Sequence, residues 1–212
     1  MTISFASYTI IYMKEQEETY WGPKLWEKLR RQQPEKVCET AVAEYNSTGF
    51  YELTSLGKSV RVYPGEERLE TDDPLLTSSV DYQLLLVFYL INAQNIDPTG
   101  EWVSEKELKG GSTFFRGPHA LPSAPLEKYF GSDPAGFRAR AAEIGGQPLE
   151  FGDVSMVFHI LPRISFAVVL WAMDDEFPAR VTFMLDSSID AHLDLYVIYA
   201  MTKSVTQKLT AE

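Results

Sequence analysis

Four carboxylates have the residue types and the spacing to hold an ion. Asp174, Asp175 and Glu176 share one turn, and Asp153 stands just before the first of three C-terminal strand patterns. If those strands run up, down and up, Asp153 and the 174–176 turn lie at the same end of a sheet. A two-carboxylate magnesium or calcium site is conceivable there. Asp186 closes the third strand, about 20 Å away over six or seven residues, and falls outside that group. The competing reading is that acidic turns and caps are commonplace in a chain this acidic.

A second cluster is aromatic. Phe114, Phe115, Arg116 and His119 sit in a Gly- and Pro-rich stretch, the setting of a ligand-binding loop. Gly110-Gly111-Ser112-Thr113 just before it has backbone N–H groups to offer an anion, although a simple turn serves equally well. Arg116, Arg138, Arg140 and Arg163 are the cations near the loops, and a carboxylate or phosphate ligand would need one or more of them. The histidines are His119, His159 and His192. Convergence of the three on a metal or a tetrapyrrole has no support from spacing. His159 reads as a hydrogen-bonded sheet-face residue, and His192 as an exposed residue in the first turn of the last helix.

Several chemistries are excluded. No nucleotide-binding glycine motif, Gly-x-Ser-x-Gly, His-Glu-x-x-His or calcium-loop pattern occurs. The single cysteine, Cys38, rules out an internal disulfide or a self-contained cysteine-ligated cluster, and its helical spacing makes it a small core residue. A formal charge of −11 over 212 residues argues against sequence-independent nucleic-acid binding. Hydrophobic residues make up 45% and aromatics 13%, enough for a substantial core.

The elements that must position these residues are those of an α+β single domain. Its antiparallel sheet comprises an N-terminal hairpin and a C-terminal three-stranded meander, packed with helices. Pro23 opens a short helix, and Pro34 a second whose face is Cys38, Ala41, Val42 and Tyr45. Residues 50–54 and 59–63 flank Leu56-Gly57-Lys58 as a hairpin, followed by an acidic loop. Asp81 caps a helix over 82–91 that is apolar nearly all round and therefore central. A short helix is expected from Ser104, two more over 126–130 and 134–144, and strands over 154–161, 164–173 and 179–185. Asp186-Ser187-Ser188 then caps a closing helix.

Residues 1–20 read as an N-terminal extension and 21–208 as the domain. The run 3–13 is apolar and uncharged, too short to span a membrane and without the flanks of a secretory signal. It fits either an added edge strand or sequence upstream of a true start at Met13. A cytoplasmic location, with no membrane and no nucleic-acid partner, is expected.

Several phrases together carry a family resemblance: Trp21-Gly22-Pro23 with Leu25-Trp26, LLVFYL over 85–90, Glu101-Trp102-Val103-Ser104, Leu161-Pro162-Arg163, WAMDDEFP over 171–178 and LDSS over 185–188. The chain resembles the prokaryotic domain-of-unknown-function family 3786. That resemblance implies anaerobic redox or one-carbon metabolism and, through members fused to an iron–sulfur-cluster domain, a corrinoid or iron–sulfur protein partner. It supplies no catalytic residues. The expectation is an accessory or binding protein rather than an enzyme. It would dock on such a partner or hold a small ligand, such as a corrinoid or other tetrapyrrole, through Phe114, Phe115, Arg116, His119 and Arg163. The alternative is a divalent-metal-dependent enzyme using Asp153, Asp174, Asp175 and Glu176 with magnesium or calcium. A third reading is a small structural subunit of an assembly.

Overall fold

A computed structural model describes residues 23–211. The apolar run 3–13 and the choice between Met1 and Met13 lie outside the described residues. The described chain is α+β, with two antiparallel sheets and helices packed on them.

The first sheet has strands in the order β1 (Glu44–Asn46), β2 (Phe50–Ser55), β3 (Lys58–Tyr63) and β4 (Arg68–Glu70). Its central hairpin turns on Leu56 and Gly57, both at positive φ (49° and 75°). A two-residue loop with that twist suits the right-handed twist of the flanking strands. Before the sheet come α1 (Pro23–Arg30) and α2 (Pro34–Ala41). The helix at Pro34 is shorter than its apolar spacing predicts. Val42 turns left-handed at φ 51° and ends it, so Val42 and Tyr45 are exposed and Tyr45 joins β1. The expected acidic loop also acquires structure: it pairs as β4, and Asp73 caps α3 (Pro74–Ser78) while receiving the Lys208 ammonium.

Helix α4 (Val80–Asn92) is central, as its all-round hydrophobicity predicts, with Tyr82, Leu84, Leu85, Leu86 and Val87 fully buried. Its cap is Ser79, whose hydroxyl accepts from Tyr82 N–H (3.2 Å); Asp81 instead pairs with Lys203 at 2.9 Å. The second sheet runs β5 (Trp102–Val103), β9 (Arg180–Asp186), β8 (Ile164–Trp171), β7 (Val154–Leu161) and β6 (Gln147–Leu149). The meander β7–β8–β9 is its centre. The helix expected from Ser104 is replaced by strand β5 and a turn in which Glu107 accepts from Ser104 N–H (2.7 Å).

Helices α5 (Gly111–Phe114), α6 (Ser123–Phe130) and α7 (Pro134–Glu143) lead into β6, and α8 (Leu195–Thr210) packs along α4. The α8 cap is Asp194, accepting from Val197 N–H (3.0 Å), not the 186–188 run. The sheets meet where Ser55 Oγ donates to Ile160 O (2.6 Å) and accepts from the buried Tyr82 hydroxyl (2.7 Å).

Candidate functional site: a cleft along the β9 edge

The aromatic loop folds inward. The Phe114 ring stacks on His119 with centroids 4.5 Å apart and planes 8° from parallel. His119 in turn meets Tyr199 and Tyr196 of α8 edge-on, at 5.5 and 6.2 Å. The Tyr199 hydroxyl donates to Pro118 O (3.0 Å) and pins the loop to α8. Partial burial lowers the His119 pKa, and its Nε2 is buried with no hydrogen-bond partner. Phe115 is buried with its ring edge-on to Phe114 at 5.1 Å, while Arg116 lies in solvent.

Phe115 is one wall of a cleft of about 500 Å³. Helix α6 contributes Ser123 and Glu127, the segment after β5 contributes Ser104, Glu105 and Lys106, and β9 contributes Arg180, Val181, Thr182 and Phe183. Successive strand residues face opposite sides of a sheet. Four consecutive residues lining one cavity therefore place that cavity along the strand's edge. The register agrees. Strand β5 pairs only Trp102 with Asp186 and Val103 with Leu185, so the Arg180–Met184 stretch has no strand on this side. The Val181 N–H points into the cleft and donates to Glu127 Oε1 (3.0 Å). Alternation then points the Phe183 N–H and C=O the same way. The cleft's two cations, Lys106 and Arg180, form no ion pair among the described residues; Arg180 lies over the Trp171 ring at 5.2 Å.

Arg163 is elsewhere and committed to the interior. Its guanidinium is buried and donates to Thr40 O (2.8 Å), Asn95 Oδ1 (2.6 Å) and the Asp97 carboxylate. Two more buried polar groups hold the same 94–100 loop. Asp186 accepts from Thr99 N–H (3.1 Å), Gly100 N–H (2.8 Å) and Ser188 N–H (3.0 Å), as well as from the Thr99 and Ser188 hydroxyls. Burial alone would raise its pKa; these hydrogen bonds outweigh it and hold the carboxyl below the usual range. His192 is 2% exposed, not on the surface as its sequence setting suggests, and its Nδ1 accepts from Gln94 N–H (3.2 Å). Burial and then the nearby Arg163 charge depress its pKa.

The acidic turn is at the opposite end of the meander. Asp153 and the 174–176 turn do share that end: Asp153 Oδ2 accepts from Ala172 N–H (2.8 Å). Asp174 Oδ1 accepts from Glu176 and Phe177 N–H (2.8 and 2.7 Å), and these bonds lower its pKa. Asp175 and Glu176 are exposed. Among the described residues no three His, Cys, Asp or Glu side chains are grouped closely enough to hold a metal ion. Nor does any helix there have the length and apolarity to cross a membrane. His159 is exposed on the sheet face, its Nδ1 2.8 Å from Ser165 Oγ.

Residues 33–208 match the family model described as Domain of unknown function (DUF3786). The chain belongs to that family. The DUF3786 match spans both sheets and every residue of the cleft. Searches of curated proteins and of solved structures find no match to the chain. Within this DUF3786 domain, sequence reading picks out Phe115 but misses Lys106, Glu127 and Arg180. The legible signal was the strict alternation of β9, with Val181, Phe183 and Leu185 inward and Arg180, Thr182 and Met184 outward. What hides the edge is that the neighbouring strand is only two residues long.

Proposed function

We propose that this DUF3786 domain is an accessory binding protein that receives an extended segment of a partner protein in the cleft along β9. The observation that carries this reading is the stretch of β9 that no strand pairs on one side and that lines a cleft of about 500 Å³. An unpaired strand edge is a template for main-chain hydrogen bonding, and flanking pockets give side-chain selectivity. Here the Phe183 N–H and C=O supply the pairing groups. Phe115, Leu121 and Val181 supply apolar walls, and Lys106 and Arg180 are placed to meet an acidic side chain or a terminal carboxylate. The partner class implied by the family resemblance, a corrinoid or iron–sulfur protein of anaerobic metabolism, is part of the proposal.

A photo-crosslinking amino acid placed at exposed Ala120 in the cleft, and at exposed Gln207 on α8 as control, tests it in the native host. One discrete protein adduct from position 120, absent from position 207 and lost with Arg180→Glu, is the expected result. Equal adducts from both positions, or none from 120, would retire the cleft as a docking site.

A further inference from the structure

Five of the ten large hydrophobic side chains exposed among the described residues lie on three short segments at the β8–β9 turn: Tyr129, Phe151, Trp171, Met173 and Phe177. The segments are tied to one another. Met173 N–H donates to Gly131 O (2.8 Å), two residues beyond Tyr129. Asp153 N–H donates to Leu170 O (3.1 Å), and Ala172 N–H returns a bond to the Asp153 carboxylate. Gly152, at φ +56°, lies against Val169 and the Trp171 ring, where a Cβ would come within 2.8 and 3.3 Å of them. The 150–153 segment is thereby packed closely against the end of β8. Phe177 and Met173 are 66% and 55% exposed, although the turn that carries them is closed by Asp174 N–H to Phe177 O (3.0 Å). An ordered turn that offers its apolar side chains to solvent is a surface awaiting a partner.

Charge selects the partner. Residues 128–131, 150–153 and 171–180 carry five acids, Glu150, Asp153, Asp174, Asp175 and Glu176, against two bases, Lys128 and Arg180. From this we infer that the apolar turn is a second docking surface, adjoining the cleft at Arg180 but built on other side chains, and that it takes a protein surface with an apolar centre ringed by lysine or arginine. A second copy of this chain would set acid against acid, and an anionic bilayer would be repelled by the same five carboxylates.

A 14-residue amphipathic helical peptide of leucine and lysine is the probe, with its leucine–glutamate twin as control, titrated into the full chain and followed by fluorescence anisotropy. The lysine peptide should bind with an affinity that falls as salt rises, and the glutamate peptide should not bind. The double variant Met173→Ser, Phe177→Ser changes no charge and should lose at least tenfold in affinity, as for truncated anchor residues, with an unaltered melting curve. Equal binding by wild type and double variant would overturn the inference, since attraction to an acidic protein in general would then suffice. So would a dimer in sedimentation that the double variant abolishes, or binding to phosphatidylcholine–phosphatidylglycerol vesicles. Because the variants leave the cleft untouched, adducts from Ala120 and peptide binding at the turn can fail separately.

Discussion

The two ends of the meander handle polar and apolar groups in opposite ways. At the β9 C-terminal end, Arg163, Asp186 and His192 are buried, and each holds the 94–100 loop by hydrogen bonds to groups far away in sequence. At the other end the carboxylates are exposed, Asp174 merely closes its own turn, and the apolar side chains face water. Charged residues attract functional interpretation at both ends, yet only burial and partnership separate the two. Arg163 and Asp186, buried charges with their hydrogen-bond partners in place, are structural machinery. An ordered apolar side chain left facing water is surface available to another molecule.

That contrast can be broken at its strongest point first. Asp186→Ala would leave the Thr99, Gly100 and Ser188 N–H groups without their acceptor, and unfolding in urea should show a loss of roughly 3 kcal/mol or more. A loss under 1 kcal/mol would mean the clamp is dispensable.

The next effect is on pH dependence. His192 and His119 both have pKa values depressed in the folded protein, from an ordinary 6.5. The unfolded chain therefore takes up protons that the folded one resists. Stability is fully present above about pH 6.5 and falls as the pH drops through the lowered folded values. Urea midpoints at pH 7.5 and 5 should show this decline, and His192→Gln should make it shallower. An unchanged slope would show that the 94–100 loop does not sense His192.

A smaller effect is expected at the exposed end. Trp171→Ala removes the ring over which Arg180 lies and should weaken the lysine-peptide interaction severalfold, with little change in the urea midpoint. The smallest belongs to Asp174→Asn, which keeps an oxygen for the Glu176 and Phe177 N–H groups. Its midpoint should match wild type, whether or not magnesium is present. A magnesium-dependent rise in wild type that Asp174→Asn loses would restore the metal reading of this turn.

The sequence reveals the two kinds of element that depend on local pattern. The meander strands show as apolar runs between tight turns, and the β2–β3 hairpin shows in Leu56-Gly57. The central helix is legible because apolar residues surround it. What fails is whatever depends on a distant partner. His192 sits beside Asp190 and Asp194 and reads as exposed, but its acceptor role is fixed by Gln94, 98 residues away. Arg163 reads as a free cation in a turn, and its partners are 66 to 123 residues distant. Helix α2 stops early because a single valine turns left-handed, which no apolar spacing announces. The cleft is missed for a related reason: its edge exists only because β5 ends after two residues.

The central claim is that a partner's main chain pairs with the part of β9 that β5 leaves without a strand partner. Amide hydrogen exchange of the full chain, alone and with the protein that crosslinks at Ala120, tests it at single-residue level. The account predicts marked slowing at the Phe183 N–H and no change at Val181, whose N–H is already held by Glu127. Unchanged exchange at Phe183 in the complex would contradict it.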